Sequence, residues 1–90
     1  MLSRDEVRSF LAERIAKAMY MPVDELDDNQ LFSDFGLESV TLARILVDVR
    51  ERYACDVTVP DLLKHQTLNE AADLVHARVA GVAVERGGSR

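Results

Sequence analysis

Apolar residues recur at intervals of three and four in three separate segments of this 90-residue chain. That spacing places side chains on one face of an α-helix, so each segment predicts an amphipathic helix. The first helix covers residues 4–19, the second runs from near Ser39 to about Tyr53, and the last ends around Ala80. The three apolar stripes are Val7, Phe10, Leu11, Ile15, Ala18 and Met19; Leu42, Ile45, Leu46, Val49 and Tyr53; and Leu68, Ala71, Ala72, Val75 and Val79.

Two of these helices begin with a capping-box pattern, in which two side chains three residues apart satisfy each other's backbone N–H groups. Ser3 and Glu6 form this pattern before the first stripe, and Thr67 and Glu70 repeat it before the last. The signals mark where both helices start.

The segment between the second and last helices is short. Asp61 to Lys64 allows a single helical turn, with Pro60 acceptable at its start, and "CDVTV" before it can extend over three to five residues. The sequence therefore predicts an all-α fold, a small bundle of three main helices and one short helix with a long first loop. We expect residues 1–80 to form the domain and residues 81–90, where periodicity is lost and glycine is frequent, to be a flexible C-terminal tail.

The first loop, residues 20–38, is too long to be an ordinary connection in a small domain. Its apolar residues are too many for a free linker, which predicts that the loop lies across the core. A long loop of this kind is typically functional. The apolar residues are Val23, Leu26, Leu31, Phe32 and Phe35.

Negative charge is concentrated in the same region. Between Ala18 and Ala43 there are six acidic residues and no Lys or Arg, whereas the rest of the chain is close to neutral although the net charge is −5. Such a field repels phosphate backbones and attracts basic protein surfaces, so it argues against nucleic acid and for a protein partner with a positive patch. The six acids are Asp24, Glu25, Asp27, Asp28, Asp34 and Glu38.

Several classes of site are excluded by composition and spacing. One cysteine, Cys55, and two histidines are too few for a disulfide framework or a structural zinc site. No register of the acidic loop matches a calcium-binding EF-hand, and no glycine-rich nucleotide loop is present. The chain has no apolar run of membrane-spanning length and its first residues do not resemble a secretory signal, so we expect a cytoplasmic protein without a membrane partner.

Ser39 lies where the acidic loop meets the second helix. Position alone favours an N-cap, since serine accepts a hydrogen bond from the first turn of a helix. A catalytic nucleophile is not supported, because "GLESV" is not a nucleophile elbow and His65 and His76 are not placed as an evident base.

The second helix also carries Val40, Ala43 and Val47, which fall outside its core stripe. They are compatible with two arrangements: a helix covered on two sides, or a docking strip beside Ser39. The sequence leaves both open.

The string "DFGLESV" before the second helix, "VTVPDLL" at the short helix and "KHQTLNEAADLV" at the last resemble the acyl and peptidyl carrier proteins over roughly residues 4–80. In that family a phosphopantetheinyl transferase attaches 4′-phosphopantetheine, donated by coenzyme A, to the motif serine, and the thiol of this arm carries the acyl or aminoacyl chain as a thioester.

The resemblance implies that Ser39 is the attachment site and that Asp34, Gly36, Leu37 and Glu38 are the motif residues before it. Gly36 can supply the positive φ of the turn, and Leu37 can anchor it in the core. A phosphodiester is favoured at a helix N-terminus, where free N–H groups and the helix dipole attract an anion.

Two differences from the family pattern favour a secondary-metabolite pathway over fatty-acid synthesis. Glu38 and Val40 replace the usual Asp and Leu, and the second helix has more arginines than the acidic helix of bacterial fatty-acid carriers. The "KHQTL" segment also looks more like polyketide and nonribosomal peptide carriers. We therefore expect a non-enzymatic, monomeric carrier of a secondary-metabolite pathway. The start Met and the short tail favour a free-standing carrier, with a domain excised from a larger synthase as the alternative. Its partners would be the transferase and chain-loading or chain-processing enzymes such as ligases, ketosynthases or condensation enzymes.

Partner recognition is expected at Glu38, Val40, Ala43, Arg44 and Val47. The alternatives are a carrier for fatty-acid synthesis and a helical interaction module that has the carrier fold without the arm.

Overall fold

The computed structural model describes residues 2–79, which fold into helices joined by loops, with no strand in that range. The all-α prediction is confirmed, and "CDVTV" forms no strand. The α-helices of this range are α1 Arg4–Met19, α2 Ser39–Tyr53, α3 Val59–Lys64 and α4 Leu68–Val79. Two short 3₁₀ turns, Val23–Glu25 and Phe32–Phe35, lie between α1 and α2.

Helix α1 begins and ends as its sequence dictates. Ser3 and Glu6 form both halves of a capping box, with the Glu6 N–H donating to Ser3 Oγ at 3.1 Å and the Ser3 N–H to Glu6 Oε1 at 3.0 Å. The helix stops where Tyr20 takes a left-handed conformation (φ 56°) and its N–H closes the last turn on Ala16 and Lys17 carbonyls. The predicted bounds of this helix are correct.

The buried face of α1 differs from the predicted stripe at one side. Ala18 is exposed, whereas Ala12 and Ala16 are buried together with the larger apolar residues. Helix α1 packs against α2 and α4, and small alanine side chains let helices approach closely. Spacing alone does not distinguish a buried alanine from an exposed one.

The other helices follow their capping residues. The α2 stripe is buried as predicted, with Tyr53 half-buried. Helix α3 begins two residues earlier than Asp61, because Thr58 and Asp61 form a capping box that places Pro60 in the first turn. Thr67 Oγ1 accepts the Glu70 N–H at 3.1 Å at the start of α4. The predicted helix end at Ala80 and the predicted tail, residues 81–90, lie outside the described residues.

The long loop does lie across the core, but fewer of its residues enter it than predicted. Leu26 and Phe32 are buried and Phe35 packs against the core, whereas Val23 and Leu31 are exposed. Val23 is the first residue of the first 3₁₀ turn and Leu31 directly precedes the second, and at both places the side chain faces water.

Hydrogen bonds fix this loop to α4 and to the residues that directly precede α4. The Phe32 N–H donates to the Gln66 carbonyl at 2.7 Å, and the Asn69 N–H donates to the Asp28 carbonyl at 3.0 Å. The Asn69 side chain also donates to Asn29 Oδ1 at 2.6 Å. The loop that leads to Ser39 is therefore held in one place over the bundle. No helix within residues 2–79 is long and apolar enough to cross a bilayer.

Candidate functional site

Ser39 is the first residue of α2 and is exposed to solvent. Its interpretation as the N-cap is wrong: Glu38 is the N-cap, with extended backbone angles (φ −96°, ψ 166°). The prediction was off by one residue because Glu38 lacks the short side chain that normally marks a cap. Ser39 Oγ makes no hydrogen bond to another described residue, so its hydroxyl is available for chemistry.

The turn before Ser39 is set by a glycine and a buried leucine. Gly36 ends the second 3₁₀ turn in the left-handed region (φ 81°), where its N–H donates to the Ser33 carbonyl at 3.1 Å. Leu37 is buried, and its N–H donates to the Phe32 carbonyl at 3.0 Å. Both residues have the conformation and burial that the sequence predicts. Together they aim the chain so that α2 starts at the surface.

The start of α2 is suited to a negative group. Glu38 makes no side-chain cap, and the N–H groups of Ser39, Val40 and Thr41 have no acceptor among the described residues. Unpaired N–H groups at the positive end of a helix dipole favour an anion. A phosphate ester on Ser39 Oγ would lie at this end, so the residues present fit a phosphodiester.

The acidic loop is less uniform than its sequence indicates. Asp28 has a counter-charge, because it forms a bidentate ion pair with Arg8 of α1. Arg8 Nε donates to Asp28 Oδ2 at 2.9 Å, and Arg8 Nη2 donates to Asp28 Oδ1. The Arg8 guanidinium, chiefly by hydrogen bonding, lowers the pKa of the Asp28 carboxyl from its usual value. Sequence spacing missed this pair, since the residues are twenty positions apart on different elements.

The other five acids form the exposed negative surface that remains. None of them takes part in an ion pair within residues 2–79. Two of them lie directly before α2: Asp34 is in the second 3₁₀ turn, and Glu38 immediately precedes Ser39. The five are Asp24, Glu25, Asp27, Asp34 and Glu38.

The surplus apolar residues of α2 face solvent. Val40 is 69% exposed and Val47 49% exposed, and Ala43 and Arg44 are also exposed. Of the two arrangements that the sequence left open, a helix covered on both sides is not the one in the structure. These four residues form a strip beside Ser39, and we call it the α2 strip.

Within residues 2–79, no general base is hydrogen-bonded to Ser39. His76 Nε2 lies 3.2 Å from the Leu2 carbonyl, and His65 is the C-cap of α3. No cluster of three or more metal-ligating side chains occurs among the described residues. Cys55 is half-buried and packs against the core.

Three residues that sequence reasoning missed support the site from a distance. Arg8, Gln66 and Asn69 hold the acidic loop through the ion pair and the backbone hydrogen bonds described above. The contacts join segments far apart in the chain, so periodicity carries no signal for them.

Comparison with known proteins agrees with this geometry. The family model described as "Phosphopantetheine attachment site" matches residues 9–75. The chain is similar to the solved NMR structure of an HMG-ACPI domain from the CurA module of Lyngbya majuscula, with a TM-score of 0.75 and 21% identity over 88% of this chain and 81% of that one. No curated protein sequence matches. The chain therefore belongs to the phosphopantetheine-attachment family of carrier domains, whose members bear a covalent 4′-phosphopantetheine on a serine.

Proposed function

We propose that Ser39 is the residue that carries 4′-phosphopantetheine in this chain. The observation that supports this most directly is the exposed Ser39 hydroxyl at the N-terminus of α2, where the N-cap residue Glu38 makes no side-chain cap hydrogen bond and the Gly36–Leu37 turn precedes it. When bound, the arm supplies a thiol that carries an acyl or aminoacyl chain as a thioester.

Attachment of phosphopantetheine requires little of this chain beyond the correct position of the Ser39 hydroxyl. The Ser39 hydroxyl loses its proton and forms a P–O bond to the pantetheine phosphate of coenzyme A, while the pyrophosphate linkage breaks and 3′,5′-ADP leaves. The unpaired N–H groups of the first turn offset the negative charge of the ester. Gly36 and Leu37 position the serine, and the exposed carboxylates of Asp34 and Glu38 are available to a transferase with a basic surface.

The chain itself would act as a carrier and not as a catalyst. We propose that it is a free-standing monomer acting in the cytoplasm, within a polyketide or nonribosomal peptide type of pathway. The exposed acids and the α2 strip support transient contacts with a transferase and with chain-loading or chain-processing enzymes, because small mixed surfaces allow rapid release.

The experiment is intact-mass measurement after incubation with coenzyme A and a broad-specificity phosphopantetheinyl transferase. We expect the mass to rise by one phosphopantetheine group. Ser39→Ala should remove the gain, whereas Ser33→Ala, which alters an exposed serine of the preceding 3₁₀ turn, should retain it. An unmodified wild-type protein, or modification that persists in Ser39→Ala, would contradict the assignment.

A further inference from the structure

A groove of about 620 Å³ lies between the C-terminal half of α1 and α2. We call it the α1–α2 groove. It is distinct from the acidic loop and from the Ser39 turn. Among the residues that line it are Arg14, Lys17, Ala18, Arg44, Ile45 and Val47.

The groove is basic in a protein that is acidic overall. It contains three cations, Arg14, Lys17 and Arg44, and one acid, Asp48. Arg14 Nη1 lies 3.8 Å from Asp48 Oδ2 in an ion pair, whereas Lys17 and Arg44 form no ion pair within residues 2–79. Arg14 Nε is buried and has no hydrogen-bond partner in the part of the chain that the structure describes. An anion is therefore attracted to this part of the surface.

The groove also has apolar walls. Ala18 and Val47 expose apolar surface in it, with Ile45 beneath. Its volume falls in the range of small-molecule sites, which combine apolar walls with a few placed polar groups. The matching ligand is apolar along its length and negative at one end.

Ser39 is near enough for a tethered ligand to reach the groove. Arg44 follows it by five residues, which places the two side chains roughly 12 Å apart across the surface of the helix. A phosphopantetheine arm extends over roughly 15 Å, on the scale of four extended residues. It can pass over exposed Val40 and bring a short chain to Arg44.

We propose that the α1–α2 groove holds the carboxylate end of a dicarboxylic acyl chain carried on Ser39, with Lys17 and Arg44 as the recognition residues. This inference rests on the proposed function, since the chain must be attached at Ser39. The size of the groove favours a small chain over a folded segment of a partner protein.

The test compares two arms of equal length on ¹⁵N-labelled protein. Amide-linked coenzyme A analogues with a glutaryl or a pentanoyl chain are transferred to Ser39, and intact mass verifies the loading. We expect the glutaryl arm, relative to the pentanoyl arm, to shift the backbone amide signals of three residues that line the groove, Lys17, Thr41 and Arg44. The double substitution Lys17→Gln and Arg44→Gln should abolish this difference. Lys64→Gln, which removes an exposed cation on α3, should retain it.

Each other outcome has a defined meaning. Equal shifts from both arms would mean that the groove binds the arm or an apolar chain, and would overturn the carboxylate assignment. The carboxylate assignment would also be overturned if the amide signals of the groove residues respond to neither arm, or respond only to an added acidic protein. A difference that persists in the double variant would exclude Lys17 and Arg44. Failure to load any arm would refute the proposed function at the first step, and the present inference with it.

Discussion

Arg8 and Asp28 connect α1 to the middle of the acidic loop through paired side-chain hydrogen bonds. The backbone of the same aspartate accepts the Asn69 N–H from α4 at 3.0 Å. Asp28 is thus joined to the first helix by its side chain and to the last by its main chain. The loop that leads to Ser39 is fixed at this point.

The ion pair predicts a pH-dependent contribution to stability. Because the pKa of Asp28 is lower in the folded protein than in the unfolded chain, the pair stabilises the fold above the unfolded value, about 3.9, and this contribution is lost as the pH falls through the folded value. We expect Arg8→Gln to lower the free energy of unfolding by about 0.5–1 kcal/mol at pH 7, as partly exposed ion pairs do. Urea denaturation at pH 7 and at pH 3 measures the difference, which should shrink at the lower pH. A difference that is the same at both pH values would exclude the ion pair as its cause, and Lys64→Gln serves as the control.

Substitution of Gly36 should destabilise the fold through the backbone alone. Its φ of 81° is strained for residues with a Cβ, while no described residue beyond Gly36 and its two chain neighbours has an atom within 4 Å of the position a Cβ would take. We expect Gly36→Ala to cost about 1 kcal/mol and Gly36→Asn less, because asparagine tolerates the left-handed region better. Chemical denaturation of both variants checks the order. If asparagine and alanine are equally destabilising, conformation is not the cause.

Val47 and Val49 form a matched pair on α2. Val47 is 49% exposed, whereas Val49 is fully buried. We expect Val47→Asp to leave the melting temperature nearly unchanged but to slow turnover by a partner enzyme that docks on the α2 strip. Val49→Ala should lower the free energy of unfolding by about 2 kcal/mol through the cavity it leaves. A large loss of stability in Val47→Asp, measured by thermal unfolding, would refute its placement on the surface.

The exposed acids predict that salt slows modification of Ser39. Screening acts over about 10 Å at 0.1 M ionic strength, which weakens attraction to a basic transferase. The rate of phosphopantetheine transfer, measured by intact mass over increasing KCl, should fall. Asp34→Asn should reduce both the rate and its salt dependence, whereas Glu51→Gln, an exposed acid near the far end of α2, should have little effect. A rate independent of salt would argue against electrostatic recruitment.

Local signals account for what the sequence predicted correctly. The apolar stripes and the Ser3–Glu6 capping box give the helices because these patterns act within one or two turns. The start of α3 was misplaced because the Thr58–Asp61 box follows a segment that also suits an extended strand.

Interactions between distant segments could not be predicted in the same way. The Arg8–Asp28 pair depends on how α1 and the loop pack, and the exposure of Val40 and Val47 depends on which neighbours cover α2. The motif around Ser39 was recognisable as a string of letters, whereas the cap at Glu38 is a matter of backbone angles.

The hydrogen bonds from Gln66 and Asn69 to the loop also set an order of events during synthesis. A ribosome makes Ser39 well before either of these partners, so a nascent chain that ends before Asn69 lacks the contacts that fix Asp28 and Phe32. The surroundings of the serine are complete only after α4 has emerged. Helix α4 thereby makes presentation of Ser39 a property of the finished domain.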